Sequence, residues 1–362
     1  MSHTDSQLVV NSHNEWDPLE EVIVGRVTGA AVPPWHVGLQ SAAPSHAWDI
    51  LKALSGKPAP PQFVLAAQQD LDAFLAIFES ERITVRRPDP LPQTGSYTTP
   101  DWSCEAGYNL ANPRDLLMVI GNEILETPTA WRSRYFETHA YRSLLHEYFK
   151  AGAKWTAAPK PRLADGFYDE DYTVPEKDEP IRYSITENDC TFDAADFVRC
   201  GRDLFFTRSN ATNEFGLQWL RRHLGDRYRI HQINTRSRQP LHIDTTFVPL
   251  APGKALINPE YVVREELPAA LKSWDCRYAP PPITTPGNII DLSSVWLTMN
   301  VLMLDAEKVV VESAQEPLIK MLEDWGFTPV LCPFQNYYVY GGGFHCATLD
   351  VRRRGGLESY CD

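Results

Sequence analysis

The chain has 362 residues, 43% of them hydrophobic, enough to bury one large core or two ordinary ones. Its net charge of −13 excludes a nucleic-acid role, because phosphate binding needs a basic stripe. Seven scattered cysteines without CxxC spacing exclude a disulfide framework and a structural zinc, and no apolar run approaches membrane-spanning length.

The polar start, Met1 to Gln7, lacks the charged-then-apolar pattern of a signal peptide, so the expected location is the cytosol. Residues 1–11 are expected to form a disordered tail. Short β-branched strands then recur after charged turns, at 21–25, 116–121, 204–207, 255–258 and 309–312. Preceding strands at 197–200, 247–250 and 300–304 make hairpins with the last three. Helical patterns follow over 63–81, 130–151, 213–224, 265–273 and 315–325, with apolar spacing such as Leu217, Leu220 and Leu224. Each runs into a short strand, at 83–87, 154–158, 228–234, 277–279 and 328–331.

Hairpin, helix, strand is thus a repeating α/β unit. Five such units predict a closed ring, because closure hides sheet edges that repetition would otherwise expose. The first unit lacks its leading strand, which residues 344–352 can supply, joining both chain ends in a single domain over residues 1–362. Residues 31–61 and 165–182 fall outside the pattern and read as long loops, suited to covering the mouth of a central site.

The candidate chemistry gathers at matching places in the repeat. Gly341, Gly342 and Gly343 run into Phe344, His345 and Cys346 just before the closing strand. Glycines can press a loop against a ligand and set the angle of the next residue, making Cys346 a candidate nucleophile. Asp115 precedes the second unit's strand, Asp193 and Asp196 open the third hairpin, and His242 and Asp244 open the fourth. On a strand, His242 and Asp244 would share one face. Cysteine, histidine and several aspartates converging on one axis suit attack on a cationic carbon: carboxylates clamp a planar cation, and histidine moves protons. A rival reading takes His242, Asp244 and His345 as a two-histidine, one-carboxylate iron site, but leaves Cys346 without a role.

These residues sit in longer motifs, including Asn14 to Arg26, Arg86 to Pro90, Pro113 to Asp115, Gly121 to Ile124, Phe192 to Phe197, Ser293 to Asp305 and Gly341 to Cys346. On them the chain resembles the glycine amidinotransferase family of guanidino-modifying enzymes. The resemblance implies the five-bladed α/β propeller (pentein) fold, with pseudo-fivefold ββαβ repeats around a central site. It implies a ping-pong transfer without metal or organic cofactor. Cys346 would attack the guanidinium carbon of L-arginine while Asp115 and Asp244 clamp its nitrogens. His242, held by Asp193, would protonate departing ornithine, and a small-molecule amine would take the amidino group from sulfur. No nucleic acid or membrane partner is expected, and a homodimer is an allowed assembly.

The departures concern the acceptor. Where the glycine enzymes have a carboxylate-gripping arginine, this chain has Tyr261; the nearest arginine is Arg264. Gln239 and Leu241 replace an Asn and a Met, while Ser294 keeps a carboxylate contact. The expected acceptor is therefore a larger amine without an acid group, as in secondary metabolism of the saxitoxin type. The alternatives are transfer to glycine, an arginine deiminase-like hydrolysis, or a guanidine sensor without turnover.

Overall fold

Each hairpin is followed by a crossover and a third strand parallel to the second, because a parallel pair cannot be joined by a tight turn. The computed structural model describes residues 8–284 and 294–361. It contains five three-stranded sheets of one topology, an antiparallel pair extended by a parallel strand. The first uses the chain's last strand: Thr348–Arg353 pairs antiparallel with Leu19–Val24, which pairs parallel with Thr84–Arg86. The others take their strands in order. They are Leu117–Ile120, Glu123–Glu126 and Lys154–Ala157; Phe197–Cys200, Asp203–Phe206 and Arg229–Gln232; Phe247–Ala251, Lys254–Ile257 and Asp275–Tyr278; and Leu302–Met303, Lys308–Glu312 and Thr328–Cys332. This is the five-bladed α/β propeller.

Four crossovers are helical: Pro61–Ser80, Arg142–Lys150, Glu214–Leu224 and Glu316–Asp324. The first buries Ala67, Leu71, Phe74 and Phe78, a stripe at helical spacing. Phe74 packs edge-on against Phe344 at 5.0 Å, and Phe344 stacks on Phe334 at 4.3 Å, so this helix anchors the turn that carries Cys346. The helix expected over 265–273 is only two short turns, Arg264–Glu266 and Ala269–Leu271, interrupted at Pro268, which removes a donor. The helix expected over 130–151 begins regularly only at Arg142, after two 3₁₀ turns. The strand expected at 116–121 leads its blade, and Glu123–Glu126 is its hairpin partner.

Residues 31–61 are not an open loop: they hold the helices Val37–Ala42 and Trp48–Leu54. The tail expected over residues 1–11 ends sooner, since Val10 is buried and the Asn11 N–H donates to Val351 O at 3.0 Å. Residues 1–7 lie outside the described residues, as does Ser293.

Buried ions fill the space between the leading strands. Arg199 donates to Val119 O of the second blade at 2.9 Å and pairs with Asp350 of the first at 2.9 Å. Arg353 reaches Met303 O of the fifth at 2.8 Å. A guanidinium offers several donors in a fixed fork, so one side chain can tie together strands that have no shared ladder.

Candidate active site

A single short helical turn precedes each leading strand, and these turns carry the site. Asp115 lies on Pro113–Leu116, and Asp193 caps Ala194–Asp196. His242 caps Ile243–Thr245, which contains Asp244, and Ser294 caps Val295–Met299. Cys346 sits in a turn closed by the Ala347 N–H to Gly343 O, at 2.9 Å. His242 and Asp244 are therefore on a turn rather than a strand. His242 has φ of 57°, a region costly for a residue with a Cβ and retained where the surroundings enforce it.

The turns bring Asp115, Asp193, His242, Asp244 and Cys346 to one cavity of about 120 Å³. All are buried, with Cys346 only 1% exposed. The Cys346 thiol donates to Asp244 Oδ2 at 3.0 Å. His242 Nε2 lies 3.2 Å from Asp193 Oδ2, while its Nδ1 lies 3.6 Å from Asp115 Oδ1. The His242 N–H donates to Asp196 Oδ1 at 3.0 Å, so Asp196 fixes the histidine backbone rather than lining the cavity.

Electrostatics follow from this geometry. Burial pushes the Cys346 thiol up to about 12, and Asp244 adds to the rise against the opposing effect of His242. Burial alone would lower His242, but the carboxylates of Asp115, Asp193 and Asp196 hold it well above the usual imidazole range. Burial raises Asp115, with His242 and Arg134 opposing. Asp244 stays below the ordinary carboxylate range despite burial, chiefly through His345.

Two functional residues escaped the sequence reading. Asn300 accepts the N–H groups of His345 and Cys346 at 2.8 and 3.1 Å, and donates to Cys346 Sγ at 3.2 Å. The repeat itself holds the signal that finds it. Asp115, Asn300 and Cys346 each stand two residues before a leading strand, at Leu117, Leu302 and Thr348. Arg134 lines the cavity and donates to Asp115 Oδ2 at 2.6 Å and Glu137 Oε2 at 3.0 Å. The glycines serve the protein's own groups: a Cβ on Gly342 would lie 2.3 Å from Asn112 Oδ1, and one on Gly343 2.7 Å from Asn300 Cβ.

At the mouth, Tyr261, Ser294, Gln239 and Leu241 all line the cavity. The Tyr261 hydroxyl is 3.4 Å from Ser294 Oγ. Gln239 donates to the carbonyls of Gln40 and Ala43 at 3.1 and 2.8 Å, tying the short helix at Val37–Ala42 over the cavity. Leu39, Ala42, Ala43 and Leu51 from the expected covering segment do line it. Residues 165–182 do not; Tyr172 supports that helix from behind, where its carbonyl accepts from Gln40 Nε2 at 3.4 Å. Arg264 is exposed and lies over the Tyr278 ring at 5.0 Å, outside the cavity, so it does not replace the missing clamp.

The possible metal-ligand atoms of Asp115, His242 and Cys346 lie within 4.8 Å of one another. A dication there would face Arg134, already on Asp115, and His242, whose charged form the surrounding carboxylates favour. The set suits a flat monocation better. The iron-site residues do not assemble: the His345 ring lies in a separate small space, between Glu15 Oε2 and Asp244 Oδ2.

A propeller of five blades around a buried cysteine, histidine and carboxylates is the architecture of guanidine-modifying enzymes. No family model matches the chain. The L-arginine:L-lysine amidinotransferase of Pseudomonas savastanoi pv. phaseolicola is 49% identical, covering 97% of this chain and 96% of that one. The mitochondrial glycine amidinotransferase of Danio rerio is 43% identical over 99% of this chain and 86% of its own length. Among solved structures, the amidinotransferase of the saxitoxin biosynthetic pathway from Microseira wollei superposes with a TM-score of 0.93 at 53% identity, covering 97% of this chain and 99% of that one. The chain belongs to the amidinotransferase family and is a transferase.

Proposed function

We propose that the protein moves the amidino group of L-arginine, through a thiouronium on Cys346, to an amine longer than glycine, of the saxitoxin-pathway kind. One observation carries the donor half: Asn112, Asp115 and Asp193 all line the cavity, and on each the buried Oδ1 has no hydrogen-bond partner among the described residues. Unpaired buried acceptors are costly, and a guanidinium supplies five donors in one plane. Seated there, it adds positive charge beside Sγ and lowers the cost of forming the thiolate.

Sulfur attacks the guanidinium carbon, the C–N bond to ornithine breaks, and the thiol proton ends on the departing amine by way of His242. In the second half His242 takes a proton from the acceptor amine, nitrogen displaces sulfur, and the thiol is restored. Asp193 keeps the imidazole oriented in both directions. Because each blade supplies at least one group to this centre, the chain acts as one domain.

The acceptor reading rests on the mouth. Arg134 is the sole arginine or lysine among the described lining residues, and it is committed to Asp115 and Glu137. Carboxylates entering the mouth meet the hydroxyls of Tyr261 and Ser294 instead. Glycine has little else to bind with, whereas a longer amine can also use the apolar wall of Leu39, Leu51, Leu241 and Leu297. Mixing the protein with L-arginine alone and reading Cys346 by peptide mass spectrometry tests the donor half. An amidino adduct with ornithine release is expected; citrulline without an adduct overturns it. A panel of glycine, L-lysine and carboxylate-free long amines tests the acceptor, and glycine reacting as well as the others overturns that half.

A further inference from the structure

His345 has no place in the transfer as described, yet it is the residue beside the nucleophile and is almost wholly buried. Its Nδ1 lies 3.2 Å from Asp244 Oδ2 and its Nε2 3.3 Å from Glu15 Oε2. A carboxylate oxygen that is ionised can only accept, so the ring satisfies both contacts only with a proton on each nitrogen, as an imidazolium. The oxygen it grips, Asp244 Oδ2, is the same one that accepts the Cys346 thiol.

The surrounding charges make the cation consequential. Arg114, Arg199 and Arg353 lie in the buried network with Glu15, Asp350 and Asp244. Along these salt bridges three arginines meet three carboxylates, and His345 adds a further positive group. Arg114 faces it from the second blade, with Nε donating to the His345 carbonyl at 2.8 Å. Arg199 and Asp350 reach it through Glu15, and Cys346 through Asp244. On the cavity side of Asp244 stand His242 and Asp115.

We propose that His345 is a positioning residue, a buried imidazolium that holds Asp244 Oδ2 beside the Cys346 thiol and supplies positive charge against which the thiolate forms. The inference rests on Cys346 being the nucleophile. Asp244 would otherwise put a bare negative charge 3.0 Å from sulfur, which opposes ionisation. With His345 charged, Asp244 Oδ2 is shared between a cation and the thiol, so the carboxylate can take the thiol proton's hydrogen bond and one edge of a substrate cation without isolating the sulfur. His345 thereby tunes sulfur without touching substrate.

The test compares wild type with His345→Gln, which keeps an amide donor but no charge. Iodoacetamide labelling of Cys346 is followed by peptide mass spectrometry across the alkaline range in the absence of arginine. The variant should label about tenfold more slowly at a given pH, equivalent to a rise of about one unit in the thiol's titration. A profile matching wild type in a variant that melts normally overturns the proposal. If the variant does not fold, neutron diffraction of the wild-type protein decides: deuterium on both ring nitrogens of His345 is expected, and a neutral ring overturns it. Loss of the amidino adduct in wild type would instead reject the nucleophile itself, a separate result from either of these.

Discussion

Arg134 Nη1 stands 2.6 Å from Asp115 Oδ2, so one carboxylate of the proposed guanidinium clamp is half committed to the protein's own arginine. Only Oδ1 remains for a guanidinium. Asp115→Asn should weaken arginine by about 1.5–3 kcal/mol, the range for a hydrogen bond to a charged group, or roughly 10- to 150-fold in KM. The fold should survive, because Glu137, which burial pushes up to about 8, can ionise to keep Arg134 paired. Steady-state kinetics with arginine varied, alongside a melting curve, checks both halves. An unchanged KM would mean that Asp115 serves Arg134 alone.

Asn300 offers a test with two arms. Asn300→Ala leaves the backbone N–H groups of His345 and Cys346 without their acceptor, and each buried orphan costs about 1–3 kcal/mol. Melting temperature and adduct formation should fall together. Asn300→Asp keeps the acceptor but sets a second negative charge beside sulfur. It should melt near wild type yet form the adduct more than about tenfold more slowly, one pKa unit or more of lost thiolate. Equal loss of adduct and stability in both variants would reduce Asn300 to a structural residue.

The repeat was legible because each unit obeys local rules: β-branched runs, a turn, an apolar helical stripe and a final strand. Its failures were local too. Pro268 broke the weakest crossover, and the alanine- and proline-rich span at 31–61 hid two short helices that share a small core of their own and turn only Leu39, Ala42 and Leu51 to the cavity. Cys346, His242 and the aspartates were legible because reactive side chains are few and recur at one place in the unit. Arg134 and the Glu15–Arg199–Asp350 network were not, since a charged residue in sequence reads as solvated until the fold shows it buried. The positive φ of His242 had no signal at all, as no glycine or asparagine marks it.

That network makes stability depend on acid. Burial pushes Glu15 and Asp350 up, but arginines outweigh it in both: Arg199 with His345 and Arg114 for Glu15, and Arg114, Arg353 and Arg199 for Asp350. Both folded values lie below the unfolded ones. Their contribution is therefore complete above about pH 4, the unfolded carboxylate range, and is lost as pH falls through the depressed values. His242 runs the other way. Its folded value is raised, so its contribution is full below the unfolded imidazole value near ~6.5 and is lost as pH climbs through the raised one. Calorimetric melting against pH should show a dome with a steep acid limb. Glu15→Gln should flatten that limb while lowering the plateau by about 3–5 kcal/mol, because it leaves buried cations unpaired. An acid limb unchanged in the variant would place the labile carboxylates elsewhere.

On the proposed acceptor reading, Tyr261 is the position at which the acceptor should be re-specified. Its hydroxyl sits 3.4 Å from Ser294 Oγ on the cavity wall, and its N–H is held by Asn258 Oδ1 at 3.2 Å, so a longer side chain there starts from a fixed backbone. Tyr261→Arg restores a guanidinium next to a serine hydroxyl, a pair that can hold a carboxylate by charge-assisted hydrogen bonds. Such a contact is worth about 1.5–3 kcal/mol, so kcat/KM for glycine should rise roughly 10- to 150-fold. Long amines without an acid group should lose efficiency, because the new charge meets no partner and takes room from the apolar wall. The donor half needs a separate measurement: arginine carries its own α-carboxylate, so the rate of adduct formation with arginine alone should rise or hold rather than fall. If glycine remains a poor acceptor while adduct formation stays fast, the discrimination lies in Leu241, Gln239 and the short helix that Gln239 ties down, and those positions become the ones to exchange.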